Sequence, residues 1–151
     1  MSGGHDVAGK HVLQVGAGGA GASLAYCLAE AGAAAVTISD IGNERATTLA
    51  KLVADTFTDC DLRAGPPDPM GHDIVINATP MGLRPEDPLP LDAGRLQADM
   101  IVVDIIMDPV ETPLLRHAKA LGCQVQYGQP MMDFQMKAMG ECLNVLSGPK
   151  R

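Results

Sequence analysis

The chain has 151 residues, 46% hydrophobic and only 3% aromatic, with a formal net charge of −7. That length suits one domain with a proper core, built here from Ala, Val, Ile, Leu and Met, as in a parallel sheet buried on both faces. The acidic balance argues against nucleic-acid backbones and anionic membranes, which want clustered Lys and Arg, and no apolar run reaches the roughly 18 residues that span a bilayer.

The opening M-S-G-G-H-D lacks the apolar segment of a signal peptide, so a cytoplasmic protein is expected. Residues 1–9 read as a loose lead-in. A first strand at 11–15, H-V-L-Q-V, runs straight into G-A-G-G-A-G at 16–21. Gly16 lets the chain turn sharply out of the strand, and Gly18 lets bare backbone approach a pyrophosphate. Gly21 lets the next helix pack close to the sheet, while that helix's N-terminus offers unpaired N–H groups and a partial positive charge. Glycines also cluster in ordinary turns, so the pattern by itself is weak. Its context strengthens it: a small-residue helix follows at 19–30, stopped by Gly32, and then a second strand at 35–39 ends at Asp40. An acidic residue about 20 positions past the glycines is where this motif expects a partner for the adenosine ribose hydroxyls. The module reads as a dinucleotide site.

A helix at 43–55 places Ala46, Leu49, Ala50 and Val53 on one face. A short strand follows near 60–63. The stretch G-P-P-D-P at 65–69 is a surface connection without a long helix. Residues 73–77, D-I-V-I-N, form a buried strand, followed by A-T-P-M-G. The loop at 83–94 carries Pro85, Pro88 and Pro90 and should be irregular. Another buried strand spans 100–104, and Thr112-Pro113 starts a helix that ends before Gly122. A last short strand spans 123–126. A helix at 131–146 carries Met132, Met136, Met139, Leu143 and Leu146 on one side, a stripe that reads as core packing. Cys27, Cys60, Cys123 and Cys142 are scattered without a C-x-x-C, and the four histidines are dispersed. Buried reduced thiols are therefore expected, and no metal site.

Strands alternating with helices imply right-handed crossovers and an α/β fold. We expect a Rossmann-like, doubly wound parallel sheet of six strands in the order 3-2-1-4-5-6, with helices on both faces. Ligands of such sheets sit beyond the carboxyl ends of the strands, at the switch point. The glycine loop, Asp40, Thr79 and the Ile105 region all fall on that edge.

Four segments resemble the C-terminal, NAD(P)-binding domain of the shikimate/quinate dehydrogenase family. They are G-A-G-G-A-G at Gly16, D-I-V-I-N-A-T-P-M-G at Asp73, V-D-I-I-M-D-P-V-E-T-P-L-L at Val103, and Tyr127-Gly128 with Met131 and Gln135. The resemblance runs from about Val7 to Gly148 and implies an oxidoreductase that exchanges a hydride between a nicotinamide and a cyclic hydroxy acid such as shikimate or quinate. It implies that Gly16, Ala17, Gly18, Gly19, Ala20 and Gly21 hold the pyrophosphate. Asp40 and Ile41 would then meet the adenosine ribose. Thr79, with Pro80 and Met81 in the same loop, would touch the cofactor. Ile105, Met107 and Gly128 would lie against the nicotinamide half, and Gln135 would reach the substrate. On residue type alone, Thr79 serves equally as a turn cap, Gly128 as a bend and Gln135 as a solvated helix residue.

Two departures from the family pattern matter. NADP-using members carry arginines after the second strand, whereas this chain reads D-I-G-N-E-R, with Ile41 in place of the first arginine and only Arg45 remaining. Asp40 would repel a 2′-phosphate, so NAD is favoured over NADP. Met107 stands where the family usually has tyrosine, which leaves the substrate open. The family's catalytic lysine and aspartate lie in an N-terminal substrate domain with no counterpart here. None of Lys10, Lys51, Lys119 or Lys137 is nominated as an acid or base, so no catalytic residue is assigned within this chain. The expectation is the cofactor domain of a longer enzyme, poorly active by itself, with a homodimer admissible. The non-enzyme alternative is a stand-alone NAD-binding redox sensor or regulatory module. A methyltransferase using S-adenosylmethionine fits less well, because Gln14 replaces the acidic residue such enzymes tend to carry before the first glycine. A P-loop nucleotidase is excluded, since no Gly-Lys-Ser/Thr follows the glycines.

Overall fold

A computed structural model describes residues 7–79, 89, 91, 93–104 and 112–126. Six strands, β1 (His11–Val15), β2 (Ala35–Ser39), β3 (Asp61–Ala64), β4 (Ile74–Asn77), β5 (Ile101–Asp104) and β6 (Gln124–Gln126), form one sheet in the order β3-β2-β1-β4-β5-β6. Every pairing is parallel. This is the expected Rossmann-like order, with the switch point between β1 and β4.

Side chains of successive strand residues point to opposite faces, and here both faces are covered. Val12, Val36, Ile38, Ile74, Ile76 and Val103 pack with Leu24 and Leu28 of α1 (Gly19–Glu30) and with Ala46, Leu49, Ala50 and Val53 of α2 (Asn43–Thr56). Leu13, Val15, Val75 and Val102 pack on the other face with Leu114, Leu115 and Ala118 of α3 (Pro113–Ala120). Thr112 caps α3 as the sequence suggests: its Oγ1 accepts from Leu115 N–H at 3.3 Å, and Pro113 fills the first turn, where no N–H is needed.

The third strand begins at Asp61 rather than residue 60, where Asp61 N–H donates to Ala34 O at 3.0 Å and sets the register against β2. The Pro-rich connection after it holds no helix, as expected. It is tied to its surroundings by His72, whose Nε2 lies 3.1 Å from Thr37 Oγ1, and by Asp68, whose Oδ1 accepts from Arg95 Nε at 2.7 Å. Arg95 belongs to a single 3-10 turn, Ala93–Arg95, inside the segment read as irregular. The expected helix at 131–146 lies outside the described residues.

The cysteines need a correction. Cys60 and Cys123 are free and buried, but Cys27 is disulfide-bonded. Scattered spacing was a poor guide, because the fold and not the sequence decides which thiols meet. No helix among the described residues is long and apolar enough to cross a membrane.

Candidate nucleotide site

The carboxyl ends of β1, β2 and β4 are stitched together by backbone. Gly16 N–H donates to Ser39 O, and Ala78 N–H donates to Val15 O, both at 2.7 Å. These bonds open the three loops side by side, and between them lies a cleft of about 510 Å³ lined by Val15, Gly16, Gly18, Asp40, Ile41 and Thr79 among others. A cleft of that size, mostly apolar with a few polar groups, is of the kind that takes a small molecule.

The glycines divide into two physical roles. Gly16 has φ +115°, and a Cβ there would sit 2.8 Å from Ala78 O, so the chain can turn between β1 and β4 only without a side chain. Gly21 is packed harder still: a Cβ would fall 2.3 Å from Gly16 O. Gly18 differs from both. Its φ of −79° suits any residue, and a Cβ would meet none of the described residues within 4 Å. It is the N-cap of α1, and no side chain caps that end. The space above Gly18 is therefore room that no described residue fills, beside unpaired helix N–H groups and the positive end of a helix dipole.

Asp40 stands at the next strand end, with its side chain only 6% exposed. Its Oδ1 accepts from Ala17 N–H at 2.9 Å, linking it to the glycine loop. Its Oδ2 accepts from Gly42 N–H and Arg45 Nε, both at 2.9 Å, and lies 2.8 Å from Arg45 Nη2. Burial pushes this carboxyl up, but the hydrogen bonds from Ala17, Arg45 and Gly42, with the Arg45 charge, outweigh burial and hold it below the usual carboxylate range. A carboxyl depressed in the folded state contributes stability that is complete above the unfolded value of about 3.9 and is lost as pH falls through the folded value. Asp40→Asn is thus expected to lower the urea midpoint at neutral pH and to flatten its decline below about pH 4. An acid limb parallel to wild type would place that dependence on other carboxyls.

At the end of β4, Thr79 donates from its backbone N–H at 3.0 Å and from Oγ1 at 2.6 Å to Asn77 Oδ1. Asn77 Nδ2 donates to Asp104 Oδ1 at 3.2 Å, and Thr112 Oγ1 donates to Asp104 Oδ2 at 2.7 Å. Asn77, Asp104 and Thr112 are fully buried. The network fixes the ends of β4 and β5 and the start of α3 as one unit, so Thr79 is a turn residue as well as a wall of the cleft.

Of the residues singled out in the sequence, the fold brings Gly16, Gly18, Asp40, Ile41 and Thr79 to the cleft, with Ala17 joined to it through Asp40. Gly19, Ala20 and Gly21 open α1 behind them. Ile41 is 87% exposed on the rim. Pro80, Met81, Ile105, Met107, Gly128 and Gln135 lie outside the described residues. Val15, Ser39, Arg45, Pro67 and Ala78 also line the cleft without having been assigned to the site from the sequence, which also missed the Asn77–Asp104–Thr112 network. The signal for that network was present: polar residues ending buried apolar strands must find partners.

No protein-family model matches the chain. A shikimate dehydrogenase (NADP(+)) of Streptomyces avermitilis is 39% identical over 131 residues, covering 83% of this chain and 45% of that protein. The crystal structure of the ligand-free 5-ketofructose reductase of a Gluconobacter species superposes with a TM-score of 0.76 at 34% identity, covering 92% of this chain and 57% of that one. The quinate dehydrogenase of Corynebacterium glutamicum in complex with NAD superposes with a TM-score of 0.72 at 31% identity, covering 91% and 51%. The chain spans about half the length of the curated relatives it matches. In sequence and in fold, the chain is similar to the C-terminal part of the shikimate/quinate dehydrogenases.

Proposed function

We propose that this chain is the cofactor-binding part of a dehydrogenase that exchanges a hydride between a nicotinamide and a carbon of a cyclic hydroxy acid, in the manner of shikimate or quinate oxidation. The observation that carries the reading is the space over Gly18 that no described residue fills, bounded by the N-terminus of α1 and the Asp40 carboxylate. The residues fit the group: Gly18 and the first turn of α1, 19–21, offer backbone N–H groups to the two phosphates, and Asp40 Oδ1, which accepts one bond from Ala17, has a further lone pair for a ribose hydroxyl. In this reading Thr79, Pro80 and Met81 border the cofactor, Ile105, Met107 and Gly128 border the nicotinamide half, and Gln135 reaches the substrate. When bound, the nicotinamide accepts or returns the hydride; this chain's residues bind and orient it. The groups that move the accompanying proton belong to a substrate domain outside this chain, so the chain by itself is expected to bind cofactor and turn over little. The choice among shikimate, quinate and a keto-sugar like that of the Gluconobacter reductase is tested by assaying the whole gene product with each.

The charge balance favours NAD over NADP. Arg45 is engaged with Asp40, so a 2′-phosphate meets a carboxylate and a guanidinium already paired with it. Calorimetric titration is expected to show NADH binding roughly tenfold or more tighter than NADPH, about 1.4 kcal/mol. Asp40→Asn removes the carboxylate charge and releases Arg45, and should narrow or reverse that ratio. Equal affinities in the wild type, or a ratio untouched by Asp40→Asn, would defeat the assignment to NAD.

A further inference from the structure

Gln14 is the one polar residue in β1 that is fully buried, at 0% exposure within V-L-Q-V. Its Nε2 donates to Gly16 O at 2.9 Å and to Gly21 O at 2.7 Å. One amide thus ties together the two ends of the glycine loop from beneath. Two carbonyls facing one nitrogen also settle which way the amide points, since turning it over would set Oε1 against both. Oε1 has no hydrogen-bond partner among the described residues, although it is buried.

An unpaired buried acceptor costs free energy, and an apolar side chain in β1 would avoid that cost. Violations of this kind that persist in a folded chain tend to mark sites under a functional constraint. Gly21 is part of the same arrangement, because a Cβ there would lie 3.1 Å from Gln14 Nε2 as well as against Gly16 O. The amide therefore occupies space that only glycine leaves open.

We infer that Gln14 is a positioning residue for the cofactor: by holding the carbonyls of Gly16 and Gly21 on the sheet side, it keeps the backbone N–H groups at 18–20 turned outward, ready for the pyrophosphate. The inference rests on the proposed nucleotide site and deepens it. A residue that only stabilised the fold would affect all ligands of the cleft alike. A residue that shapes the phosphate cradle affects the phosphates and spares the nucleoside, whose ribose the proposed site assigns to Asp40.

Gln14→Met keeps the length and removes both donors. Calorimetry on the full chain is expected to show NADH affinity reduced about tenfold, the loss that two bonds to neutral carbonyls can carry. Binding of adenosine, which has no phosphate, followed by NMR titration, should change by no more than about twofold. Should Gln14→Met not fold, Gln14→Asn is read in the same way, since its shorter arm draws the amide back from both carbonyls. An NADH affinity equal to wild type, or a fall shared equally by NADH and adenosine, overturns the positioning role while leaving the nucleotide site standing. A wild-type chain that does not bind NADH overturns both.

Discussion

Gly18→Leu is expected to leave the fold standing and abolish dinucleotide binding. The backbone at Gly18 has φ −79°, which leucine adopts without strain, and a Cβ there points into open space. The cost to folding is limited to a poorer N-cap for α1, about 1 kcal/mol at most, or a fall in Tm of roughly 2–4 °C for a domain of this size. The cost to binding is of another order. The leucine side chain would occupy the volume beside the helix N-terminus that the phosphates need, and those N–H groups would lose their only charged partner. A loss of NADH affinity beyond about 100-fold is expected, more than about 2.7 kcal/mol. Far-UV circular dichroism and a melting curve check the first half, and calorimetry the second. A folded Gly18→Leu chain that still binds NADH at wild-type strength would show that the glycine loop is structural and the ligand lies elsewhere.

The sheet was legible because each strand is a short apolar run bounded by a turn signal, and each helix has its own stripe. Residues 35–39 read as a strand and Ala46, Leu49, Ala50 and Val53 as one face of a helix, because strand and helix repeat with periods of two and 3.6, and these residues pack in the core with Val36 and Ile38. The position of the cleft followed from the strand order. What stayed hidden was the partnering of polar groups, which joins residues far apart in sequence. Asp40 was visible as an acid at the right distance from the glycines, but nothing local says that Ala17, Gly42 and Arg45 converge on it. Those bonds change its meaning: it anchors the loop after β2 to the loop after β1 and is not a bare charge waiting for a ribose. Gln14 is a parallel case. In the sequence it marked only the absence of an acidic residue, whereas in the fold it is the clasp beneath the glycine loop. The Cys27 disulfide was misjudged for the same reason, since contact between distant segments carries no local sign.

Gly16→Val is the converse of Gly18→Leu and should damage the fold first. At φ +115° a branched residue is in a region that only glycine occupies easily, a strain of about 1–3 kcal/mol before any contact is counted. Its Cβ would also lie 2.8 Å from Ala78 O and 2.9 Å from Ala78 C. Both are backbone atoms, and Ala78 N–H is already bonded to Val15 O, so the neighbour cannot yield without opening the β1–β4 junction. Relief would have to come from turning the Gly16 peptide, which breaks its own bond to Ser39 O and draws the loop off β2. A total destabilisation of about 4 kcal/mol is expected, in the range that marks strain combined with overpacking, with a fall in Tm of roughly 10 °C. Urea unfolding of wild type, Gly18→Leu and Gly16→Val side by side provides the check. If Gly16→Val is as stable as Gly18→Leu, the turn between β1 and β4 does not require the backbone described here, and the two glycines are not doing different things.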